Sequence, residues 1–216
     1  MQKIKYIIWD WNGTLVDDAW LFVELMNEEL IQRNLPQINV EKYREQFTFP
    51  VKKYYENLGF DFEKEDFKTV GLHFIQNFKK RNQEPHLFLN ALDVLKKIHS
   101  RGVGQSVVSA QENNLLNETI KFYQLENFFD YIAGIDHVYA DNKIKLAKSV
   151  RKKICVDDKN MLLIGDSIHD YEVAQALNIE CILFSNGHYS KKRLISCDCE
   201  IVDDHTELLS FVESRI

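Results

Sequence analysis

The run Ile4-Lys5-Tyr6-Ile7-Ile8-Trp9-Asp10-Trp11-Asn12-Gly13-Thr14 decides how the rest of the sequence is interpreted. Its apolar first part predicts a short buried strand that stops at the carboxylate of Asp10. In open α/β sheets, ligands bind beyond the carboxyl ends of the strands, which is where Asp10 would lie. Gly13 would let the backbone come close to a ligand. The alternative is a strand followed by an ordinary Asn-Gly turn, and the later motifs decide between the two.

From Pro85 onward, apolar runs typical of strands alternate with segments of helical period. This alternation predicts βαβ units and a parallel sheet, so we assign the chain to the α/β class with a Rossmann-like sheet flanked by helices. The predicted strands after the first are 105–108, 131–135, 161–164, 181–184 and a weak one near 201–202. The predicted helices are 89–100, 113–123, 144–154, 170–177 and 205–213.

The segment 17–84 carries no strand signal and reads as helical throughout. Apolar residues recur at helical spacing in two stripes, which we expect to face a core rather than a cofactor. Asp17 or Asp18 can cap the first helix, and Gly59 can end the second in a left-handed conformation. We therefore expect a helical domain of residues 17–84 inserted after the first strand of a core made of residues 1–16 and 85–216. The stripes are Ala19, Phe22, Val23, Met26 and Leu30, then Phe67, Val70, Phe74 and Phe78.

Composition limits the partners of the chain. The 216 residues carry a formal net charge of −6, which argues against nucleic acid because binding to its phosphate backbone needs a clustered positive field. We expect no membrane partner, because no stretch approaches the ~20 apolar residues of a membrane span and the run before Asp10 is too short for a signal peptide. Cys197-Asp198-Cys199 is a weak metal pattern, and reduced thiols in a cytoplasmic protein are the favoured interpretation.

Chemistry-bearing side chains also follow three later strands. Ser109 closes one predicted strand, Lys143 stands after another, and Asp166 closes a third with Asp170 four residues on. In a parallel sheet these side chains meet at the same edge as Asp10. This order of carboxylate, hydroxyl, amine and acid pair resembles the haloacid dehalogenase (HAD) superfamily. The resemblance covers nearly the whole chain outside 17–84, and that segment resembles the superfamily's helical cap.

The acids of the first and last motifs suit a divalent cation. The alternative for Asp166 and Asp170 is a purely structural role at a helix N-terminus, where the helix dipole stabilises acidic side chains. With Asp10 added, however, three carboxylates converge, and magnesium (Mg2+) typically takes one or two carboxylates together with waters and substrate phosphate. The resemblance implies that Asp10 is the nucleophile that forms an aspartyl-phosphate. It also implies that Asp10, Asp166 and the backbone carbonyl of Asn12 bind the metal, with Asp170 as an outer or third ligand.

Ser109 has two compatible interpretations. The sequence Ser109-Ala110-Gln111-Glu112 has the form of a capping box, which would start a helix at Ser109. A helix N-terminus offers N–H groups to an anion, and the hydroxyl adds another donor. The resemblance implies that Ser109 and Ala110 contact the substrate phosphate, as do Gly13 and Thr14.

Lys143 is the predicted cation of the site. A lysine at a helix N-terminus opposes the dipole, which suggests that it has another partner. The resemblance implies that it neutralises the transferring phosphoryl oxygens and the acids, a role suited to a shielded site. The proline that usually follows this lysine is missing, and Lys145 is the alternative.

Asn12 departs from the family pattern, in which phosphatases carry a second Asp that exchanges protons. Because an amide cannot do so, three interpretations stay open. The protein is a slow phosphatase, or it borrows an acid such as His169 or a cap tyrosine, or it catalyses another reaction of dehalogenase or phosphonate-cleaving relatives. Retention of Asp166 and Asp170 favours phosphorus chemistry.

We therefore predict a magnesium-dependent hydrolase of a small phosphate monoester, similar to phosphoglycolate phosphatase and acting as a monomer or homodimer. The main alternative is a slow or non-catalytic binding or regulatory protein. A receiver-type signalling domain is disfavoured by the helical insertion, and a dinucleotide-binding domain by the lack of a glycine fingerprint after the first strand. Specificity would come from the cap, with Phe49, Pro50, Lys53 and Tyr54 as candidates. We expect the polar loop 185–192 to be solvated rather than part of the site.

Overall fold

The computed structural model describes residues 3–135 and 143–216. Its strands are β1 (Tyr6–Trp9), β2 (Val16–Asp17), β3 (His86–Leu87), β4 (Gly104–Glu112), β5 (Tyr131–Ile135), β6 (Met161–Gly165), β7 (Glu180–Phe184) and β8 (Glu200–Val202). Its helices are α1 (Ala19–Gln32), α2 (Val40–Gln46), α3 (Val51–Asn57), α4 (Phe67–Arg81), α5 (Ala91–Ser100), α6 (Asn113–Phe122), α7 (Lys143–Arg151), α8 (Ile168–Leu177), α9 (Lys191–Leu194) and α10 (His205–Glu213).

Six strands form a parallel sheet in the order β5-β4-β1-β6-β7-β8. The central strand β1 is buried along its whole length, as its apolar run predicts. Trp9 at its end is in register with Val107 of β4 and Ile164 of β6. The three strands therefore deliver their following residues to one edge of the sheet, and the backbone N–H of Asp10 continues the pairing by donating to the carbonyl of Ile164 at 2.8 Å.

Between the first strand and the rest of the sheet, the chain passes through a two-stranded antiparallel pair. Val16 of β2 lies opposite Leu87 of β3, and Asp17 lies opposite His86. Every element between Ala19 and Arg81 is helical, and the chain therefore leaves and re-enters the sheet region through this pair.

Apolar side chains form separate clusters on the two faces of the sheet, one including Ile7 and Trp9 and the other including Ile8 and Leu163. The alternation of Ile7 and Ile8 between the faces follows from the period of two along a strand. The helices α1–α4 enclose a third cluster that is rich in aromatic side chains. A smaller fourth cluster joins α1 and α4 to Leu115 of α6.

The predicted parallel α/β fold is confirmed. Two local predictions are wrong: β4 continues to Glu112 rather than ending at Ser109, and the second helical piece is two helices. The β2–β3 pair has no counterpart among the predicted strands. Among the described residues, no helix combines the length and the apolar character that crossing a membrane requires. The domain boundaries at 17 and 84 stay a prediction.

Candidate active site

Three carboxylates meet at the carboxyl edge of the sheet. Asp10 follows β1, Asp166 follows β6 and Asp170 lies in the first turn of α8, and one oxygen of each lies within 4.8 Å of the others. The ammonium of Lys143, at the start of α7, lies 2.8 Å from Asp10 Oδ1 and 2.6 Å from Asp170 Oδ1. Lys145 is exposed. The structure thus brings Lys143, rather than Lys145, together with the acids.

Asp170 is fixed by the local structure at the start of α8. Ser167 and Asp170 form a capping box, in which the Asp170 N–H donates to the Ser167 hydroxyl at 3.3 Å and the Ser167 N–H donates to Asp170 Oδ2 at 3.0 Å. The Ser167 hydroxyl also donates to Asp170 Oδ2 at 2.6 Å. The N–H of Asp166 approaches the same oxygen at 3.3 Å. Asp170 is fully buried, and these bonds hold its other oxygen towards Lys143.

The pKa values show how far one lysine offsets three buried acids. Burial, and then the charge of Asp170, raise the pKa of Asp10 to about 6 despite Lys143. Burial likewise raises the pKa of Asp166 to about 7, against the opposing effect of His188. Burial would also raise the pKa of Asp170, but the charge and hydrogen bond of Lys143 hold it below its usual value. The two raised values follow mainly from burial and then from the neighbouring acids, which Lys143 and His188 offset only in part.

A hard divalent cation fits this donor set. One ammonium against three carboxylates leaves two negative charges, and carboxylate oxygens are the ligands that Mg2+ prefers. Asp166 lies within 4.8 Å of Asp10 and makes no ion pair with Lys143, so a cation between these two carboxylates would supply charge that Lys143 does not. Asp10 and Asp166 would hold the cation, with Asp170 behind them. The backbone carbonyl of Asn12 stays a predicted ligand.

The loop after β1 is organised by a residue whose role was not predicted. Asp18 occupies the N-cap position of α1, as expected, but its side chain makes no capping bond. Instead, its Oδ2 accepts from Asn12 Nδ2 at 2.5 Å and its Oδ1 accepts from the Gly13 N–H at 3.0 Å. His188 Nε2 lies 3.2 Å from the same Oδ1. The Asp18 carboxylate is buried, and it accepts hydrogen bonds from the loop after β1 instead of capping α1.

Gly13 and Thr14 already have partners within the protein. The Thr14 hydroxyl is buried and donates to Asp166 Oδ1 at 3.2 Å, and the Gly13 N–H is shared between Asp18 and the carbonyl of Val16. Gly13 has φ +72°, and a Cβ there would overlap Asp166 and His188. The glycine is therefore needed for close packing around Asp166, and the role of both residues as phosphate contacts stays a prediction.

Ser109 does not start a helix. The Ser109 hydroxyl accepts from the Gln111 N–H at 3.1 Å within a bulged part of β4. The helix α6 begins at Asn113, as the predicted helix 113–123 does, and Glu112 rather than Ser109 caps it. The capping-box prediction is wrong because β4 continues its pairing with β5 as far as Glu112 and Ile135. Ser109 is buried and Ala110 half-buried near the carboxyl end of β4, and their contact with substrate stays a prediction.

The loop after β7 is part of the site, and the expectation of a solvated loop is wrong. The His188 N–H donates to Asp166 Oδ2 at 2.5 Å, and its side chain is buried. At Gly187, a Cβ would overlap Asp166 and the Gly13 carbonyl. Arg44 of α2 holds the loop from the other side by donating to the carbonyls of Gly187 and Asn186 at 2.8 and 2.5 Å. The conformation of this loop is therefore set by its close packing against the Asp166 carboxylate, and most of the loop is not solvated.

Two aromatic side chains connect the helical segment with the site. The Tyr43 hydroxyl lies 2.8 Å from His188 Nδ1, and the ring of Phe49 lies 5.3 Å from that of His169. Burial would lower the pKa of His188, but its hydrogen bond to Asp18 raises it above the usual value.

The four cap candidates differ in position. Pro50 and Lys53 are exposed, Tyr54 is buried among the cap aromatics, and of the four only Phe49 has a ring contact with the sheet domain. His169, considered as a substitute acid, lies 3.0 Å from Glu172 through Nδ1.

Asp18 and His188 are the site residues that sequence reasoning missed. His188 could have been found, because it follows β7 at the carboxyl edge where the other site residues lie. The role of Asp18 had no such signal, since acids are common at N-cap positions.

Comparison with known proteins identifies relatives of this chain. The family model described as haloacid dehalogenase-like hydrolase matches residues 7–184. A phosphoglycolate phosphatase from Aliivibrio fischeri is 21% identical over 223 residues, covering 99% of this chain and 98% of that protein. A 7-methylguanosine phosphate-specific 5'-nucleotidase from Drosophila melanogaster is 25% identical over 179 residues, covering 73% of this chain and 56% of that protein.

Among solved structures, a haloacid dehalogenase-like family hydrolase from Streptococcus pneumoniae superposes with a TM-score of 0.83 at 18% identity. The superposition covers 96% of this chain and 98% of the other, which shows a shared fold. The family model extends from β1 to the end of β7 and so includes Asp10, Lys143, Asp166 and Asp170. The chain therefore belongs to the haloacid dehalogenase-like hydrolase family.

Proposed function

We propose that this protein is a magnesium-dependent phosphatase that hydrolyses a small phosphate monoester through an aspartyl-phosphate on Asp10. The observation that carries the proposal is the placement of the Asp10 carboxylate at the end of the central strand, 2.8 Å from the buried ammonium of Lys143 and beside two further acids. A carboxylate nucleophile next to fixed positive charge suits displacement at phosphorus, because the reaction moves negative charge onto phosphoryl oxygens.

The residues have distinct roles in this proposal. Asp10 attacks the phosphorus atom and the P–O ester bond breaks. The leaving oxygen departs as an anion and takes its proton from water, since Asn12 cannot supply one. Lys143 offsets the charge of the phosphoryl group and of Asp10, while Asp170 fixes the ammonium from its other side. Bound Mg2+ would supply further positive charge to the phosphoryl oxygens, held by Asp10 and Asp166 with the Asn12 carbonyl. Water then cleaves the aspartyl-phosphate and regenerates the carboxylate.

The relatives support a phosphate monoester as the substrate. One relative is a phosphoglycolate phosphatase and the other is a 5'-nucleotidase, and both names describe hydrolysis of a phosphate ester. Residues 17–84 would form the cap over the site, and Phe49 is the candidate whose position suits contact with the leaving group. Closure of such a cap would exclude water and strengthen the charge interactions.

A slow or regulatory protein is the second candidate, and Asn12 is the observation that favours it. An amide at this position cannot protonate the leaving oxygen, and such help typically contributes about 10²–10⁴-fold. We expect the highest activity on esters with good leaving groups, because these depend least on a proton donor.

The experiment is a phosphate-release assay with Mg2+ on p-nitrophenyl phosphate, acetyl phosphate, phosphoglycolate and a panel of nucleoside monophosphates. Wild type is compared with Asp10→Asn and with Lys145→Ala as a surface control. The proposal predicts turnover by wild type and the control, and none by Asp10→Asn. Equal activity of Asp10→Asn would exclude Asp10 as the nucleophile, and absence of turnover by wild type on every substrate would favour the regulatory alternative.

A further inference from the structure

Asp18 is a buried acid to which the proposed reaction assigns no role. Its two oxygens accept from Asn12 Nδ2 and from the Gly13 N–H at 2.5 and 3.0 Å, and its helix-capping capacity is unused. A buried carboxylate is retained only where its acceptors are satisfied, and here the loop that carries Asn12 satisfies them. The contacts of Asp18 therefore concern the geometry of that loop.

The donor pattern makes the residue types at positions 12 and 18 depend on each other. An ionised aspartate has acceptors only, whereas an asparagine has one acceptor and two donors. Asp18 needs a donor from residue 12, and the amide of Asn12 supplies it. A carboxylate at position 12 would place two acceptors with like charge against each other in a partly buried space. Asn12 is the residue type that its neighbour requires.

His188 extends this dependence to the second loop of the site. Its ring nitrogen Nε2 lies 3.2 Å from Asp18 Oδ1, while its backbone N–H donates to Asp166. Asp18 thus lies between the loop after β1 and the loop after β7, both of which contact Asp166.

We propose that Asp18 is a positioning residue that, paired with Asn12, holds the loop after β1 over Asp10, so that the amide and the carboxylate are an exchangeable pair. The double variant that combines Asn12→Asp with Asp18→Asn would keep every bond. Its new amide at position 18 would donate to the new carboxylate at position 12, and the carbonyl of that amide would accept from the Gly13 N–H and His188. This inference rests on the proposed function for its kinetic part only.

The test is a mutant cycle of wild type, Asn12→Asp, Asp18→Asn and the double variant, with thermal midpoints and with kcat and KM for p-nitrophenyl phosphate and Mg2+. We expect each single variant to lower the midpoint by about 2–12 °C, since each leaves a partly buried pair mismatched. The double variant should recover the wild-type midpoint. It should also raise kcat by up to about 10²–10⁴-fold with KM little changed, because position 12 then carries a group able to exchange a proton.

The control pairs Asn12→Asp with Asp17→Asn, because Asp17 is exposed and lies outside the pair. This control should not rescue the midpoint. If Asn12→Asp alone matches the double variant in midpoint and in kcat, the proposed pair is refuted. A single variant that does not fold, beside a double variant that does, supports it. If neither wild type nor any variant turns over an ester, the proposed function fails. The thermal midpoint still tests the pair in that case: a wild-type midpoint in the double variant supports it, and a midpoint as low as in the single variants refutes it.

Discussion

Replacement of Lys143 by methionine is the most informative perturbation of this site. The ammonium is buried and bridges Asp10 and Asp170 at 2.8 and 2.6 Å. Methionine has a similar length and no charge, so the variant leaves the carboxylates buried together without their cation. Removal of one partner of a buried ion pair typically costs about 3–5 kcal/mol, because the remaining charge stays unpaired in the interior.

The penalty should depend on pH in a defined direction. Without Lys143, the pKa of Asp10 lies above the value of about 6 that it has beside the lysine, and above its value in the unfolded chain. A carboxyl group whose pKa is higher in the folded state binds protons on folding, so its destabilising effect is present at high pH and fades as the pH falls through the folded pKa. We therefore expect the full deficit of about 3–5 kcal/mol near pH 8 and a deficit below about half of that near pH 5.5.

Urea unfolding of metal-free wild type, Lys143→Met and Lys145→Met at the two pH values measures this difference. Lys145 is exposed, and its variant should stay within about 0.5 kcal/mol of wild type. Addition of Mg2+ should restore part of the lost stability, because the cation offsets the unpaired carboxylates. Lys143→Met with wild-type stability at pH 8, or with a deficit that grows on acidification, would refute the reasoning.

Three further predictions concern metal binding, a buried histidine and a packed glycine. Calorimetric titration with Mg2+ should show affinity rising from pH 5.5 to 8, because Asp10 and Asp166, with pKa values of about 6 and about 7, must lose their protons to bind it; an affinity independent of pH would contradict this. Burial lowers the pKa of His205 to about 4, so the unfolded chain takes up its proton first and wild type loses up to about 3 kcal/mol as the pH falls from 6.5 to 4. His205→Phe should remove that loss in unfolding curves at pH 7 and 4.5, and an unchanged difference between the two curves would exclude His205 as its source. Gly187→Ala should lower the free energy of unfolding by about 1–3 kcal/mol, since the new methyl overlaps Asp166, and it should weaken Mg2+ binding. Wild-type values in urea unfolding and in the Mg2+ titration would contradict this prediction.

The main features of the site could be predicted because a parallel sheet aligns strand ends. Once the strands were recognised from their apolar runs, Asp10 and Asp166 had to share an edge, and the register of Trp9 with Ile164 shows why. Lys143 followed from its place in the order of motifs, and the structure puts its ammonium between two of the acids.

The remaining features depend on tertiary contacts that sequence patterns do not encode. The polar residues after Val108 read as the end of a strand, although a bulge and pairing with β5 continue it to Glu112. His188 looked like part of a solvated loop because its partners, Asp18 and Tyr43, lie 170 and 145 residues away. Asp18 looked like an ordinary cap, and its side chain turns to the preceding loop instead.

The antiparallel pair β2–β3 has a mechanical consequence. The chain enters and leaves the helices α1–α4 through an antiparallel ladder of only two residue pairs, Val16 opposite Leu87 and Asp17 opposite His86. We expect bending at these two pairs to move the helices, whereas β1, paired on both sides with β4 and β6, keeps Asp10 in place. In the proposed reaction, substrate would thus enter and leave while Asp10 stays in place.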